Sequence, residues 1–210
     1  MHASSRHPAR SLLAIAATVM SLAVLALVFA AASQVGTAAG RSAVKAPATV
    51  SGEQLARVPD TLLAGSLIGA ARLVTPRVFL SANRGFALAE YKGVTYPAVT
   101  KNGGRAWRTN GPAFHLPAAQ APLVVTSAGA AGKKTYFAYG GGQVVDSTID
   151  AGAHWYRAVL GDVVLACVAS GSRLTAVTQV AGTGNTAQTL VYVSTDGGRV
   201  WRLNGTLGAL

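Results

Sequence analysis

Thr100-Lys101-Asn102-Gly103-Gly104-Arg105-Ala106-Trp107, Thr148-Ile149-Asp150-Ala151-Gly152-Ala153-His154-Trp155 and Ser194-Thr195-Asp196-Gly197-Gly198-Arg199-Val200-Trp201 are three copies of one octet. Their shared pattern is Ser/Thr-x-Asp/Asn-x-Gly-x-x-Trp, and it holds all three tryptophans of the chain, spaced 48 and then 46 residues apart. A fixed period of this size marks a repeat architecture in which each copy is one supersecondary unit. The octet reads as a hairpin turn. Asp150 and Asp196, or the amide oxygen of Asn102, can accept from backbone N–H groups one or two residues on, as in an Asx-turn. Gly104, Gly152 and Gly198 supply a positive φ at one position of the turn. Thr100, Thr148 and Ser194 offer hydroxyls that can bond across the same loop. Trp107, Trp155 and Trp201 then open the returning strand and carry apolar surface into the gap between sheets.

The stretches ahead of the octets, Val94–Val99, Gln143–Val145 and Thr189–Val193, are strand-like. Others precede them: Val78–Leu80 and Gly85–Ala89, Leu123–Val125 and Tyr136–Tyr139, Val163–Val168 and Leu174–Val180. Three modules follow, over about 76–114, 122–160 and 162–207. Four short strands per repeat is the blade of a β-propeller.

The octets resemble the Asp-boxes of the bacterial neuraminidase repeat, found in sialidases, sortilin-type ectodomains and propeller-shaped photosystem II assembly factors. The resemblance covers residues 76 to 206. It implies an all-β, partial or small propeller-like array of about three four-stranded repeats. In such families the motif stabilises a turn at the periphery, so the same twelve residues are expected to hold the fold rather than a ligand. Propellers usually close with about 4 to 8 blades. Three modules leave sheet edges to be covered by residues 60–74 or by self-association.

The N-terminal region has its own organisation. Arg6 and Arg10 lie in a basic segment, 1–10, expected in the cytoplasm. No charge occurs from Ser11 to Gly40, and the 21 residues Leu12–Ala32 are long enough to span a bilayer. Residues 11–33 are therefore expected to be a transmembrane anchor, with Ala30-Ala31-Ala32 as the cleavage pattern of the alternative, a signal peptide. Residues 34–58 read as a tether and 59–210 as the repeat domain, placed outside the cytoplasm in either case.

Net charge is +11, and 13 of the 18 basic residues are Arg, scattered rather than blocked. No nucleic-acid module accompanies them, which points away from nucleic acid. A diffuse positive surface outside the cell suits an anionic envelope glycan or polymer. Arg105, Arg108, Arg157, Arg199 and Arg202 recur around the octets and form a candidate surface-binding set on the outer rim.

The sialidase resemblance implies a Tyr–Glu pair, an aspartic acid/base and three arginines around a substrate carboxylate. Glu53 and Glu90 are the only glutamates, and Glu90 and Tyr91 would point to opposite faces of a strand. With Asp150 and Asp196 in octets, only Asp60, Asp146 and Asp162 remain. No nucleophile elbow, P-loop or zinc-ligand spacing occurs. The expectation is a non-catalytic binding or assembly module without a cofactor, whose partner is an envelope protein or an anionic glycan. Cys167, the single cysteine, falls in an apolar run and is expected in the core.

Overall fold

The computed structural model describes residues 47–115, 125–140, 142–161, 163–180 and 188–207. The expected anchor or signal segment lies outside the described residues. Among those described, no helix is long and apolar enough to cross a membrane.

The fold is all-β. Two short strands, β1 (Thr49–Ser51) and β2 (Glu53–Gln54), are followed by β3 (Leu67–Ile68) and a 3-10 turn over Ala70–Arg72. The first meander is β4 (Val78–Phe79), β5 (Gly85–Tyr91), β6 (Val94–Thr100) and β7 (Trp107–Thr109). The second is β8 (Ser127–Ala131), β9 (Thr135–Tyr139), β10 (Val144–Thr148) and β11 (Tyr156–Val159). The third is β12 (Val163–Ser170), β13 (Arg173–Val180), β14 (Gln188–Ser194) and β15 (Val200–Leu207). Each set of four consecutive strands forms an antiparallel sheet, so the fold is a propeller-like array of three repeats.

Every sheet then gains a fifth strand from the N-terminal side, in reverse order. β3 pairs with β7, β2 with β11 and β1 with β15, all antiparallel. Residues 49–54, within the span expected to be a tether, are therefore edge strands. Short polar strands of this kind need only backbone bonds, and Thr-Val-Ser-Gly-Glu-Gln shows no apolar alternation to announce them. Gly52 N–H donates to the Arg199 carbonyl and Leu55 N–H to the Trp155 carbonyl, so one continuous strap crosses the outer edges of the second and third sheets.

Packing between sheets is sequential. β4 and β5 meet β8, and β12 meets β8, β9 and β10. In β5, large and small residues alternate: Phe86 and Leu88 enter the core shared with the second sheet, while Ala87 and Ala89 face away. Those alanines, with Ala98, let Leu62 and Leu73 lie close over the first sheet beside its own Ile68. Residues 62–75 are pinned there by Leu62 N–H to the Tyr96 hydroxyl, Val74 N–H to the Leu88 carbonyl and Leu88 N–H to Thr75 Oγ1. The 60–74 stretch thus supplies both a strand and a cover. The core between the second and third sheets holds Phe137, Val145 and Leu160 against Val164, Cys167, Leu174, Leu190 and Tyr192. Cys167 is buried, and burial pushes its thiol far above the usual range, which leaves it an inert core residue.

Candidate functional site

The three octets close by the same hydrogen-bond circuit. The first-position hydroxyl donates to the third-position Oδ1, at 3.0 Å for Thr100–Asn102 and 2.8 Å for Thr148–Asp150 and Ser194–Asp196. The fifth-position N–H of Gly104, Gly152 or Gly198 returns to that hydroxyl oxygen at 2.9, 3.1 and 2.8 Å. The seventh-position N–H of Ala106, His154 or Val200 donates to the same Oδ1 at 2.9, 2.9 and 3.0 Å. An amide oxygen serves as well as a carboxylate oxygen here, which is why Asn102 closes the first copy. The carboxamide or carboxylate thus reaches an N–H four residues on, not the one or two of the expected Asx-turn. Positive φ also occupies two consecutive positions: 72° and 86° at Gly103–Gly104, 63° and 93° at Ala151–Gly152, 74° and 95° at Gly197–Gly198.

The tryptophans are fully buried, each in the gap ahead of its own sheet. Trp155 stacks on Phe86 and meets Phe114 edge-on, Trp201 joins the core of the second and third sheets, and Trp107 lies under the N-terminal cover beside Phe79. The octets therefore also join neighbours. At the seam of the second and third sheets, Ser147 Oγ donates to the Gly197 carbonyl at 2.9 Å, and Ile149 packs where a Cβ on Gly197 would lie. At the seam of the first and second sheets, Trp155 Nε1 donates to the Asn110 carbonyl at 2.7 Å. Val99 and Lys101 there stand where Ser147, just ahead of the octet, and Ile149 stand in the second copy. Neither fills the rim, and a groove of about 530 Å³ opens between the octets. Its walls include Lys101, Asn102, Arg108, Asn110, Asp150 and Ala153. On the other side of Lys101 lies a polar cleft of about 400 Å³ lined by Asn83, Asn102, Gly103 and Arg105.

The five candidate arginines are not brought together. Arg105 and Arg108 flank the clefts of the first octet, with Arg108 Nη1 donating to the Gly65 carbonyl at 2.8 Å. Arg199 lies 5.0 Å over the Tyr156 ring, a cation–π contact, and Arg202 is exposed on β15. Arg157, expected on the surface, is buried. Its Nε and Nη2 each donate at 2.7 Å to the fully buried Asp146 carboxylate, and Nη1 donates to the His115 carbonyl at the exit of the first sheet. Arg157 stands directly opposite Asp146 across β10 and β11, on the face turned to the first sheet, so it forms an internal clamp. Burial pushes the Asp146 carboxyl up, with the bidentate guanidinium working against that shift.

The remaining carboxylates are distributed by structure as well. Partial burial raises Asp150, but bonds from the His154 N–H, the His154 ring and the Thr148 hydroxyl, with the His154 charge, more than offset it and hold the carboxyl below its usual range. His154 Nδ1 lies 2.6 Å from Asp150 Oδ2. Glu90 is exposed and Glu53 is an exposed edge residue. Among the described residues, no three His, Cys, Asp or Glu side chains gather as a metal site would require.

A second candidate surface was not legible in the sequence. The third sheet turns Val163, Ala166, Val168, Val177, Val191 and Val193 away from the second, with Thr175 and Gln179 among them, as the cross-strand pairing fixes. Val163 is 51% exposed and Leu165, at a break in the β12–β13 register, 50%. The first sheet's equivalent face lies beneath residues 62–75, so the two ends of the array differ.

No family model matches the chain, and no curated protein matches it. Among solved structures it is similar to a chain described as "YCF48 bound to D1 peptide", at 15% identity and a TM-score of 0.42. That likeness covers 80% of this chain and 48% of the other, so this protein spans about half the length of the protein it matches.

Proposed function

We propose that this protein is a non-catalytic binding or assembly module of the cell envelope, built on Asp-box hairpins and held at the membrane by its N-terminal apolar segment. The observation that carries the reading is the unequal treatment of the two array ends. One sheet face is covered by the chain's own residues 62–75, which expose Leu63, Leu67 and Val74 in their turn, whereas the other is itself bare, with Val163 and Leu165 half exposed beside valines that alternate with Thr175 and Gln179. A sheet face this rich in valine suits a protein partner, because burying it removes apolar area from water on both sides. The carboxylates support a scaffold as well, since Asp146, Asp150 and Asp196 are engaged in clamp and turn bonds.

The full chain, purified from detergent-solubilised membranes, should carry a protein partner at stoichiometric level. Leu165→Glu combined with Val163→Glu should release that partner while leaving the thermal transition in place. An unchanged set of co-purifying proteins would sink the reading. Light scattering that shows only a second copy of this chain on that face would replace assembly by self-association.

A further inference from the structure

The first octet differs from the other two in charge and in setting. Asn102 closes its turn without a carboxylate, whereas Asp150 and Asp196 do the same work as acids. Lys101, Arg105 and Arg108 surround that neutral turn, all three exposed. The polar cleft beside Lys101 and Arg105 has no acidic residue in its walls. Across Lys101, the wider groove is lined by Arg108 and by the neutral side chains of Asn102 and Asn110, with the Asp150 carboxylate on the far side. The equivalent rim of the next seam is filled by Ile149 against Gly197.

We propose that the rim of the first octet is a binding site for an anionic glycan. The acid-free cleft takes an anionic substituent on Lys101 and Arg105. The groove takes the neutral, hydroxyl-bearing part of the chain, which donates to the Asp150 carboxylate. An anionic group in the cleft gains two cations with no opposing carboxylate in its walls, and guanidinium suits carboxylate and phosphate oxygens alike. The same anion laid in the groove would meet Asp150 as well as Arg108, so the acid-free cleft is the better seat for it. This site is independent of the apolar face of the third sheet, and either can fail without the other.

The carboxylate and phosphodiester forms of the ligand are separated by the probe. The full chain in detergent is titrated calorimetrically with an oligogalacturonate, with a glycerol-phosphate oligomer bearing sugar substituents, with neutral dextran and with inorganic polyphosphate. One or both of the first two should bind, and dextran should not. Lys101→Ala with Arg105→Ala should weaken binding at least tenfold and flatten its salt dependence. Asn102→Asp keeps the Oδ1 acceptor, so it should leave the melting temperature in place while weakening binding several-fold through its added charge. Lys133→Ala with Arg173→Ala, which removes the same charge elsewhere, should leave binding unchanged. Three results would overturn the site: equal losses in the two double variants, no affinity for either anionic saccharide, or polyphosphate binding as tightly and with the same variant profile.

Discussion

The two seams of this molecule are made from the same octet and hold together by different means. At the second seam the rim is filled, with Ile149 beneath Gly197 and the Ser147 hydroxyl on the Gly197 carbonyl. At the first, other bonds join the sheets: Trp155 to Asn110, and the Asp146–Arg157 pair to the His115 carbonyl. The rim there is left as a groove lined by Lys101 and Arg108. A repeat that fixes its turn internally is free to vary the side chains that face the neighbouring copy. The same hairpin can therefore be a joint at one seam and the wall of a site at the next.

The largest effect should come from the clamp of the first seam. Arg157→Ala removes the partner of a fully buried carboxylate and frees the His115 carbonyl, so urea unfolding should show a loss of about 3–5 kcal/mol. Asp146→Leu with Arg157→Met should recover most of that loss, since replacing a buried pair with apolar groups is often near neutral. A small effect of Arg157→Ala alone would show that the pair does not hold the seam.

Glycine and alanine at the fourth octet position distinguish the seams next. Gly197→Ala puts a Cβ into Ile149 at a φ of 74°, and should cost about 2–3 kcal/mol. At the first seam, Ala151 holds a φ of 63° beside an open groove, so only backbone strain opposes it. Ala151→Gly should therefore stabilise by about 1 kcal/mol. Equal responses at the two positions would mean that Ile149 has room to move aside.

The indoles offer a narrower contrast. Trp155 Nε1 has the Asn110 carbonyl, whereas the buried Trp201 Nε1 has no hydrogen-bond partner among the described residues. Both Trp→Phe changes lose similar volume, so Trp155→Phe should cost about 1 kcal/mol more than Trp201→Phe in the same denaturation series.

Much of this architecture was legible in the octets and in the alternation of the long strands. Spacing between tryptophans gave three repeats, and Phe86-Ala87-Leu88-Ala89 has the period of a strand with two different neighbours. What stayed hidden were elements whose existence depends on tertiary partners. β8, Ser-Ala-Gly-Ala-Ala, has no apolar pattern because the Phe137 ring lies over Gly129, where a Cβ would collide. β1 and β2 are edge strands bound through their backbones, so their side chains carry no signal. Arg157 looked like its neighbours in sequence because local pattern does not reveal that Asp146 lies opposite it in the sheet. The groove escaped for a similar reason: Lys101 and Ile149 share an octet position, and only the seam shows what each leaves open.

Acid titration gives the smallest contrast, between octets that share a circuit but not a charge. The Asp150 carboxyl is held below its usual range, so its share of stability is present above the unfolded carboxylate value near pH 4 and is lost as pH falls through the lower folded value. Asn102 has nothing to titrate, and the first octet should keep its circuit throughout that window. Asp150→Asn retains the Oδ1 acceptor for Thr148 and His154 and removes the carboxylate that faces the His154 ring. Against wild type, it should flatten the acid limb of the unfolding free energy below about pH 4. The ion pair is exposed enough for water to screen it, which limits the change to a few tenths of a kcal/mol. Thermal melts at closely spaced pH values would resolve it. Parallel acid limbs for wild type and variant would show that the Asp150 charge contributes nothing to the turn beyond the oxygen it shares with Asn102.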